Sequence, residues 1–536
     1  MPSVVPPVRR EATPPETGGR ILAEQHYHAR RMHAETIVVG AGSSGVVIAA
    51  RATERSDCEI LLVEAGPDYA DPEGLPGDLR DGRRNSMRRH DWGQMHRPRP
   101  GWPVRLWFPR GRVVGGSSAV NTCIALRGQP QDYDEWGSLG LRDWSWQACL
   151  PAFRRLENDL DVRNEWHSQD GPVPIRRHAP SERAAWQGAF LEACSSLRFP
   201  ACHDSNDPTT TGAGPHAMNL IDGVRMSAAR CYLGPETRRR PNLRIRPHTL
   251  VRRVLLSGRR VTGIEVETHG RVHTIRSRRV VLCAGATSTP GILLRSGIGP
   301  RSDVERLGVD VAHDLPAVGA RLLDHPGTAI FLRPKPGVQS LDHPLIQTVL
   351  RYRSRGGAQP NDMFIQAGSV VPLPYGALPL VSIMCSIGKP RGHGTIAFTS
   401  PRAQAPPLIE SRLLIDPVDR ARAVEAMEIA VELARSPPMR DLASFFWPPP
   451  SVVLRKGGID AWIGRICDSS YHPCGTVPMG ADHSGAATDG RGRVQGIEGL
   501  WVADASLMPS IPAAHTNLTV IMMGERFGAW LRDGAM

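Results

Sequence analysis

The stretch from Thr36 to Glu64 constrains this chain more than any other. Thr36-Ile37-Val38-Val39 is a short β-branched run entering a glycine turn, Ser44 to Glu54 carries a helical pattern, and Glu59 to Glu64 is a second apolar run. Two parallel strands joined through a helix make one right-handed βαβ unit, so an α/β lobe built on a parallel sheet is expected. The turn reads Gly40-Ala41-Gly42-Ser43-Ser44-Gly45, a G-x-G-x-x-G pattern. Its first glycine permits the tight turn, its second lets a pyrophosphate approach the backbone, and its third packs helix on strand, with the helix N-terminus aimed at phosphate charge. Glu64 ends the second strand 19 residues after Gly45, where a carboxylate accepts hydrogen bonds from an adenosine ribose, and Ala65 follows it. A dinucleotide site accounts for strands, turn, helix and acid together.

At 536 residues the chain exceeds the size at which one core stops growing, so two or more lobes are expected. The formal charge of +12 would permit nucleic-acid binding, but the arginines are spread along the chain and lysine occurs only at Lys335, Lys389 and Lys456. Without a basic face, a scattered solvated surface is the better reading and no nucleic-acid partner is expected. Ten isolated cysteines without a C-x-x-C pair indicate reduced thiols rather than a zinc site or a secreted disulfide framework. No apolar run is long enough to span a bilayer, and Arg9 and Arg10 precede Pro14 and Pro15 rather than an apolar segment, so a cytoplasmic protein is expected. Residues 1–35 read as a disordered tail. Its His26, His28 and His33 have no carboxylate or thiolate company, so no metal is expected there. Nothing in the sequence fixes the oligomeric state.

Farther along, Gly111-Arg112-Val113-Val114-Gly115-Gly116-Ser117-Ser118-Ala119-Val120-Asn121 is a second glycine-rich element, in which backbone amides can crowd against a flat polar ring. The stretch before it, to about Trp107, reads as irregular. Val261 to Ala284 alternates around His269-Gly270 as a hairpin and runs into a buried strand, Val280 to Cys283. A β-rich patch covers Leu380 to Phe398. Asp416-Pro417 then opens a helix with Val424, Met427, Val431 and Ala434 on one face. A strand-rich middle interrupting an α/β start suggests a second lobe inserted into the first.

The second glycine element, continuing through Ala125 and Gly128 to Asp134, resembles the first signature of the glucose-methanol-choline (GMC) oxidoreductases. Gly285-Ala286-Thr287-Ser288-Thr289-Pro290-Gly291 and the residues on to Gly299 resemble the second. The resemblance, of a choline dehydrogenase-like kind, runs from about Thr36 to the C-terminus. It implies FAD, a Rossmann-type FAD lobe, and an inserted α+β substrate lobe with an antiparallel sheet backed by helices. The implied division is 36–326 mainly FAD-binding, 327–489 mainly substrate-binding and 490–536 a return to the FAD lobe, with the family's C-terminal part at about 390–530. Besides Gly40, Gly42, Ser43, Ser44, Gly45, Glu64 and Ala65, the resemblance places Arg112, Val114, Gly116, Ser117 and Asn121 by the flavin. It also assigns Val251 to adenine and Ala284, Gly285, Asp504, Ala505, Asn517 and Thr519 to the remaining cofactor contacts. The family's covalent histidine would fall within Leu106–Arg110, which has none, so FAD is expected to be non-covalent.

Tyr471-His472-Pro473-Cys474-Gly475-Thr476 resembles the family's histidine loop and His515-Thr516-Asn517 its second active-site segment. An alcohol carbon gives up hydride only as its oxygen loses the proton, and imidazole is poised to take that proton near neutral pH. His472 is the expected base and His515 its partner at the hydroxyl, with the roles exchangeable. The resemblance implies hydride transfer to flavin N5, an aldehyde or ketone product, and oxygen or a quinone-like acceptor. A lyase or decarboxylase on the same fold, or a flavin-carrying redox module without its own substrate, are the alternatives. His393 reads as a turn residue and Cys474 as a small structural one. The stretch from Leu341 to Phe398 should line the substrate pocket, but it names no particular alcohol.

Overall fold

The computed structural model describes residues 33–536 except 88, 374–375 and 482–484. The expected tail therefore falls, up to residue 32, outside the described residues. Within its last three residues Ala34 is buried and its N–H donates to the Arg276 carbonyl, while His33 and Glu35 are exposed. Order thus begins at least two residues before Thr36.

The first lobe is a five-stranded sheet in the order Leu243–Arg246, Ile60–Val63, Thr36–Val39, Arg279–Leu282, Leu500–Val502, parallel throughout. Its inner strands are apolar on both faces because helices and loops cover both, as a parallel sheet requires. The expected first βαβ unit is present, with its helix at Gly45–Ala52. The expected hairpin forms between Arg260–Thr268 and Arg271–Arg276, turning at His269 and Gly270, both at positive φ.

The second lobe is a seven-stranded antiparallel sheet. Pro326–Pro334 pairs with Val381–Ile387, which pairs with Met363–Gly368, then Thr348–Tyr352 and finally Gly212–Pro215. Helix Pro417–Arg435, capped by Asp416 through the Val418 and Asp419 amides, packs on one face with helix Ala185–Ser196. The division at residue 326 is therefore too simple. Gly212–Pro215 and Ala185–Ser196 belong to the second lobe although they lie far inside the first segment, because the edge strand pairs with Thr348–Tyr352.

The last helix, Thr516–Arg532, returns to the first lobe and lies against Gly45–Ala52. The two are fastened by Glu525, a fully buried carboxylate that receives Arg51, Arg155 and the Tyr232 hydroxyl. This clamp sets where His515 and Asn517, at the start of that helix, meet the glycine turn. Replacing Glu525 by Ala leaves Arg51 with Glu54 alone and the buried Tyr232 hydroxyl without its acceptor, and is expected to cost about 1–3 kcal/mol. Glu525→Gln, which can still accept from Tyr232, should cost less, as read by urea unfolding.

Candidate active site

The glycine turn opens a continuous cavity that runs from Glu64 at one end to His472 and His515 at the other. A Cβ on Gly45 would lie 1.9 Å from the Gly40 carbonyl oxygen, so its role is to close the turn. Gly42 is different. A Cβ there meets nothing nearer than 3.9 Å, yet it would project into the cavity. Glu64 accepts the Ala41 amide at 2.9 Å and the Gly66 amide at 2.8 Å. Burial pushes its carboxyl up to about 7 against those amides. Ser43 Oγ donates to Asn517 Oδ1 at 2.8 Å, tying the turn to the last helix.

Most of the expected cofactor residues line this cavity: Gly40, Gly42, Ser43, Ser44, Glu64, Ala65, Gly116, Ser117, Asn121, Val251, Ala284, Gly285, Asp504, Ala505 and Asn517. Four do not. Gly45 packs on the turn, Arg112 reaches over the Trp92 ring, Val114 binds the Pro67 carbonyl through its N–H, and Thr519 is turned to the Tyr133 hydroxyl at 2.9 Å. Asp504 lines the cavity but is already engaged, with Oδ2 on the Gly285 amide and Thr289 hydroxyl and Oδ1 on the Ser506 amide. Of the stretch Leu341–Phe398, only Phe398 lines it among the described residues. The substrate-lobe sheet lies behind the histidines rather than facing the cavity directly.

The two expected histidines come together, their rings 4.8 Å apart and nearly perpendicular. A third, His325, holds His472. Its Nε2 lies 3.0 Å from the Pro512 carbonyl, which can only accept, so Nε2 carries the proton. Burial pushes His325 down to about 4, so it is neutral and its Nδ1 is a lone pair. That Nδ1 lies 2.9 Å from His472 Nδ1, which must therefore be the donor. His472 is left with its lone pair on Nε2, which has no protein partner and opens on the cavity. Burial, together with His515, His325 and Arg110, holds His472 well below the usual histidine value.

The backbone of the loop is gripped as firmly as the ring. Asp324 accepts the His472 amide at 2.9 Å and the Ser469 hydroxyl, and that hydroxyl oxygen accepts the Tyr471 amide at 2.7 Å. Tyr471 sits at φ 66°, a left-handed conformation that such cross-ties maintain. His515 is held more loosely. Its Nε2 lies 3.4 Å from the Gln366 amide nitrogen, which also reaches His216 Nε2 at 2.8 Å, and its Nδ1 has no partner. Burial, with His325 and Arg351, pushes it down to about 3.

The sequence reading missed His325, Gln366, His216 and Arg110. His325-Pro326 heads a strand of alternating apolar residues, and nothing local marks it. Cys474 is buried, and burial pushes its thiol up, which suits a structural residue. His393 makes only a turn contact to the Gly394 carbonyl. Among the described residues the one cluster with metal-type donors is Glu157, Asp159 and His167. Arg127 and Arg177 already occupy its carboxylates, and hydrogen bonds to Asp159, Asp204 and Glu157 outweigh burial and push His167 up to about 10. It is an ion-pair network.

Residues 34–327 and 390–524 match the two parts of the family described as GMC oxidoreductase. The chain belongs to the GMC oxidoreductase family. It is 32% identical over 521 residues to 5-(hydroxymethyl)furfural oxidase of Methylovorus sp. (strain MP688), covering 91% of this chain and 97% of that one. It is equally 32% identical over 535 residues to oxygen-dependent choline dehydrogenase 1 of Chromohalobacter salexigens, covering 92% and 94%. Among solved structures, pyridoxine 4-oxidase from Mesorbium loti superposes with a TM-score of 0.83 at 29% identity over 92% of this chain and 98% of that one.

This GMC oxidoreductase is thus an FAD-dependent enzyme acting on CH–OH donors, and the cavity suits FAD. The glycine turn, the buried Glu64 and the second glycine element at Gly116 line one channel of the required polarity. Gly42→Ala is expected to leave the unfolding midpoint of the apoprotein in place while lowering bound flavin. Gly45→Ala should lower both, as read from flavin absorbance per protein and thermal unfolding.

Proposed function

We propose that His472 is the base that takes the hydroxyl proton of an alcohol while FAD, when bound, takes up the hydride. The observation that carries this reading is the chain from the Pro512 carbonyl through His325 to His472, which leaves one lone pair, on His472 Nε2, open to the cavity. A base must be neutral and oriented before the substrate arrives, and both conditions are met by hydrogen bonds rather than by a carboxylate. The Gln366 amide nitrogen can only donate, so its 3.4 Å contact to His515 Nε2 leaves the His515 proton on Nδ1, which no protein acceptor holds. That N–H is the donor we assign to the substrate oxygen as negative charge develops there. This distribution assigns the two histidines different roles, base for the pinned one and donor for the free one.

Gly40, Gly42, Glu64 and Gly116 are the residues we assign to holding FAD. The attachment is proposed to be non-covalent, because His472 and His515 are the only histidines lining the cavity among the described residues and Phe108 is buried where a linking histidine would be sought. The names of the relatives, an oxidase and an oxygen-dependent dehydrogenase, support oxygen as acceptor over a quinone. Ten unpaired cysteines support a reducing compartment such as the cytoplasm. No helix among the described residues is long and apolar enough to cross a membrane.

An alcohol added without oxygen should bleach the flavin of the wild-type enzyme. His472→Ala should retain flavin and slow the bleaching by roughly 10²–10⁴-fold. His325→Ala, which frees His472 to move its proton, should slow it less, by about tenfold. Bleaching of His472→Ala at the wild-type rate would contradict the assignment.

A further inference from the structure

Residues 128–134 close the stretch that resembles the first family signature, yet none of them lines the cavity. They turn instead to residues 510–514, the loop that leads into His515. Helix Pro130–Ser138 places Asp132, Glu135 and Trp136 three and four positions apart, on one face. Trp136 Nε1 donates to the Ser510 carbonyl at 3.1 Å, Glu135 accepts the Ser510 hydroxyl at 2.7 Å, and fully buried Asp132 accepts the Ala513 amide at 2.8 Å. Gly128 lets the loop come this close, since a Cβ there would lie 2.8 Å from the Tyr133 hydroxyl and 3.1 Å from Pro512 Cβ.

The grip is completed by Lys389, just beyond strand Val381–Ile387 of the substrate lobe. Its ammonium meets the Ile511 carbonyl at 2.9 Å and Ser510 Oγ at 3.3 Å on the loop, and Glu135 at 2.6 Å and Asp132 at 3.2 Å on the helix. Lysine is scarce in this chain, occurring elsewhere only at Lys335 and Lys456. Here it suits the site, because a compact ammonium can aim its donors at oxygens lying in different directions, whereas the fork of a guanidinium is planar. Burial works against the charge, but Asp132 and Glu135 outweigh it and raise the Lys389 pKa.

These holds bracket the carbonyl that starts the tautomer relay. Lys389 holds Ile511, Asp132 holds Ala513, and the Pro512 carbonyl between them lies 3.0 Å from His325 Nε2. Burial keeps His325 neutral, and the Lys389 ammonium adds to that while Asp132 opposes it.

We propose that Lys389 is a positioning residue: with Asp132 it fixes the Pro512 carbonyl against His325, and through His325 it keeps the His472 lone pair on Nε2. Lys389 does not itself line the cavity. The kinetic consequence rests on the alcohol-oxidation reading, whereas the effect on the tautomers does not.

The test uses the flavin-loaded enzyme with isotope-labelled histidine ring nitrogens, read by NMR, with His325→Ala and His472→Ala identifying the two rings. The wild type should hold His325 protonated on Nε2 and His472 on Nδ1, and Lys389→Met should show mixed tautomers for both. Asp132 keeps the N–H donors of Gln129, Gln359 and Ala513 in that variant, and Glu135 is partly exposed, so neither carboxylate is left bare. If Lys389→Met does not accumulate as folded protein, Lys389→Arg, which keeps the charge in a different geometry, should show the same change to a smaller extent. Anaerobic bleaching by benzyl alcohol should slow about tenfold in Lys389→Met, as in His325→Ala, and the double variant should be no slower than the slower single one. Unchanged tautomers, or losses that multiply in the double variant, would overturn the proposal, because a merely structural lysine lowers the unfolding midpoint without moving either. If the tautomers shift but no alcohol bleaches the wild type, the positioning role stands and the oxidation reading fails instead.

Discussion

The proposed active site depends on the Asp324-His325 dipeptide gripping His472 from two sides. Asp324 takes the backbone amide of His472 and His325 takes the ring. Each bond alone is ordinary, at 2.9 Å, but together they fix both the position and the tautomer of one imidazole. The dipeptide can do this because it stands at the head of Pro326–Pro334, a strand paired on both sides within the substrate lobe. The imidazole we propose as the base is therefore carried on a short loop and oriented by a rigid sheet.

The electrostatics follow from that arrangement. His216, His325, His472 and His515 cluster without a carboxylate among their ring contacts, and burial lowers the proton affinity of all four. A neutral imidazole cluster can accept a proton near neutral pH, and the nearby Arg110 guanidinium is spent on the Pro109 and Tyr471 carbonyls, bracing the loop that carries His472.

What the sequence made legible was local. The strand, glycine turn, helix and Glu64 are set within a few tens of residues, and so are the His269-Gly270 hairpin and the Asp416 cap, and each appears as expected. The cavity-lining residues and the nearness of the histidine pair were legible because the two glycine elements and the histidine loop resemble long family patterns. The relay through His325 was not, since its partner Pro512 is 187 positions away and a lone histidine before proline has many structural uses. The edge strand Gly212–Pro215 escaped for the same reason, having little side-chain signal of its own and taking its ladder from distant Thr348–Tyr352. Arg112, Val114 and Thr519 show the converse. They fall within or beside a cofactor pattern, yet the fold turns them toward Trp92, Pro67 and Tyr133.

The central claim is that His472 waits as a neutral base, and the pH dependence of anaerobic flavin reduction by a neutral alcohol tests it most directly. Because the folded protein lowers its pKa, His472 takes up a proton only below the ordinary histidine value of 6.5. The rate constant should therefore be flat through neutral pH and fall only on acidification well below that value. A rate that already falls as the pH drops through 6.5 or higher would show that the base is protonated at neutral pH, and would contradict the account.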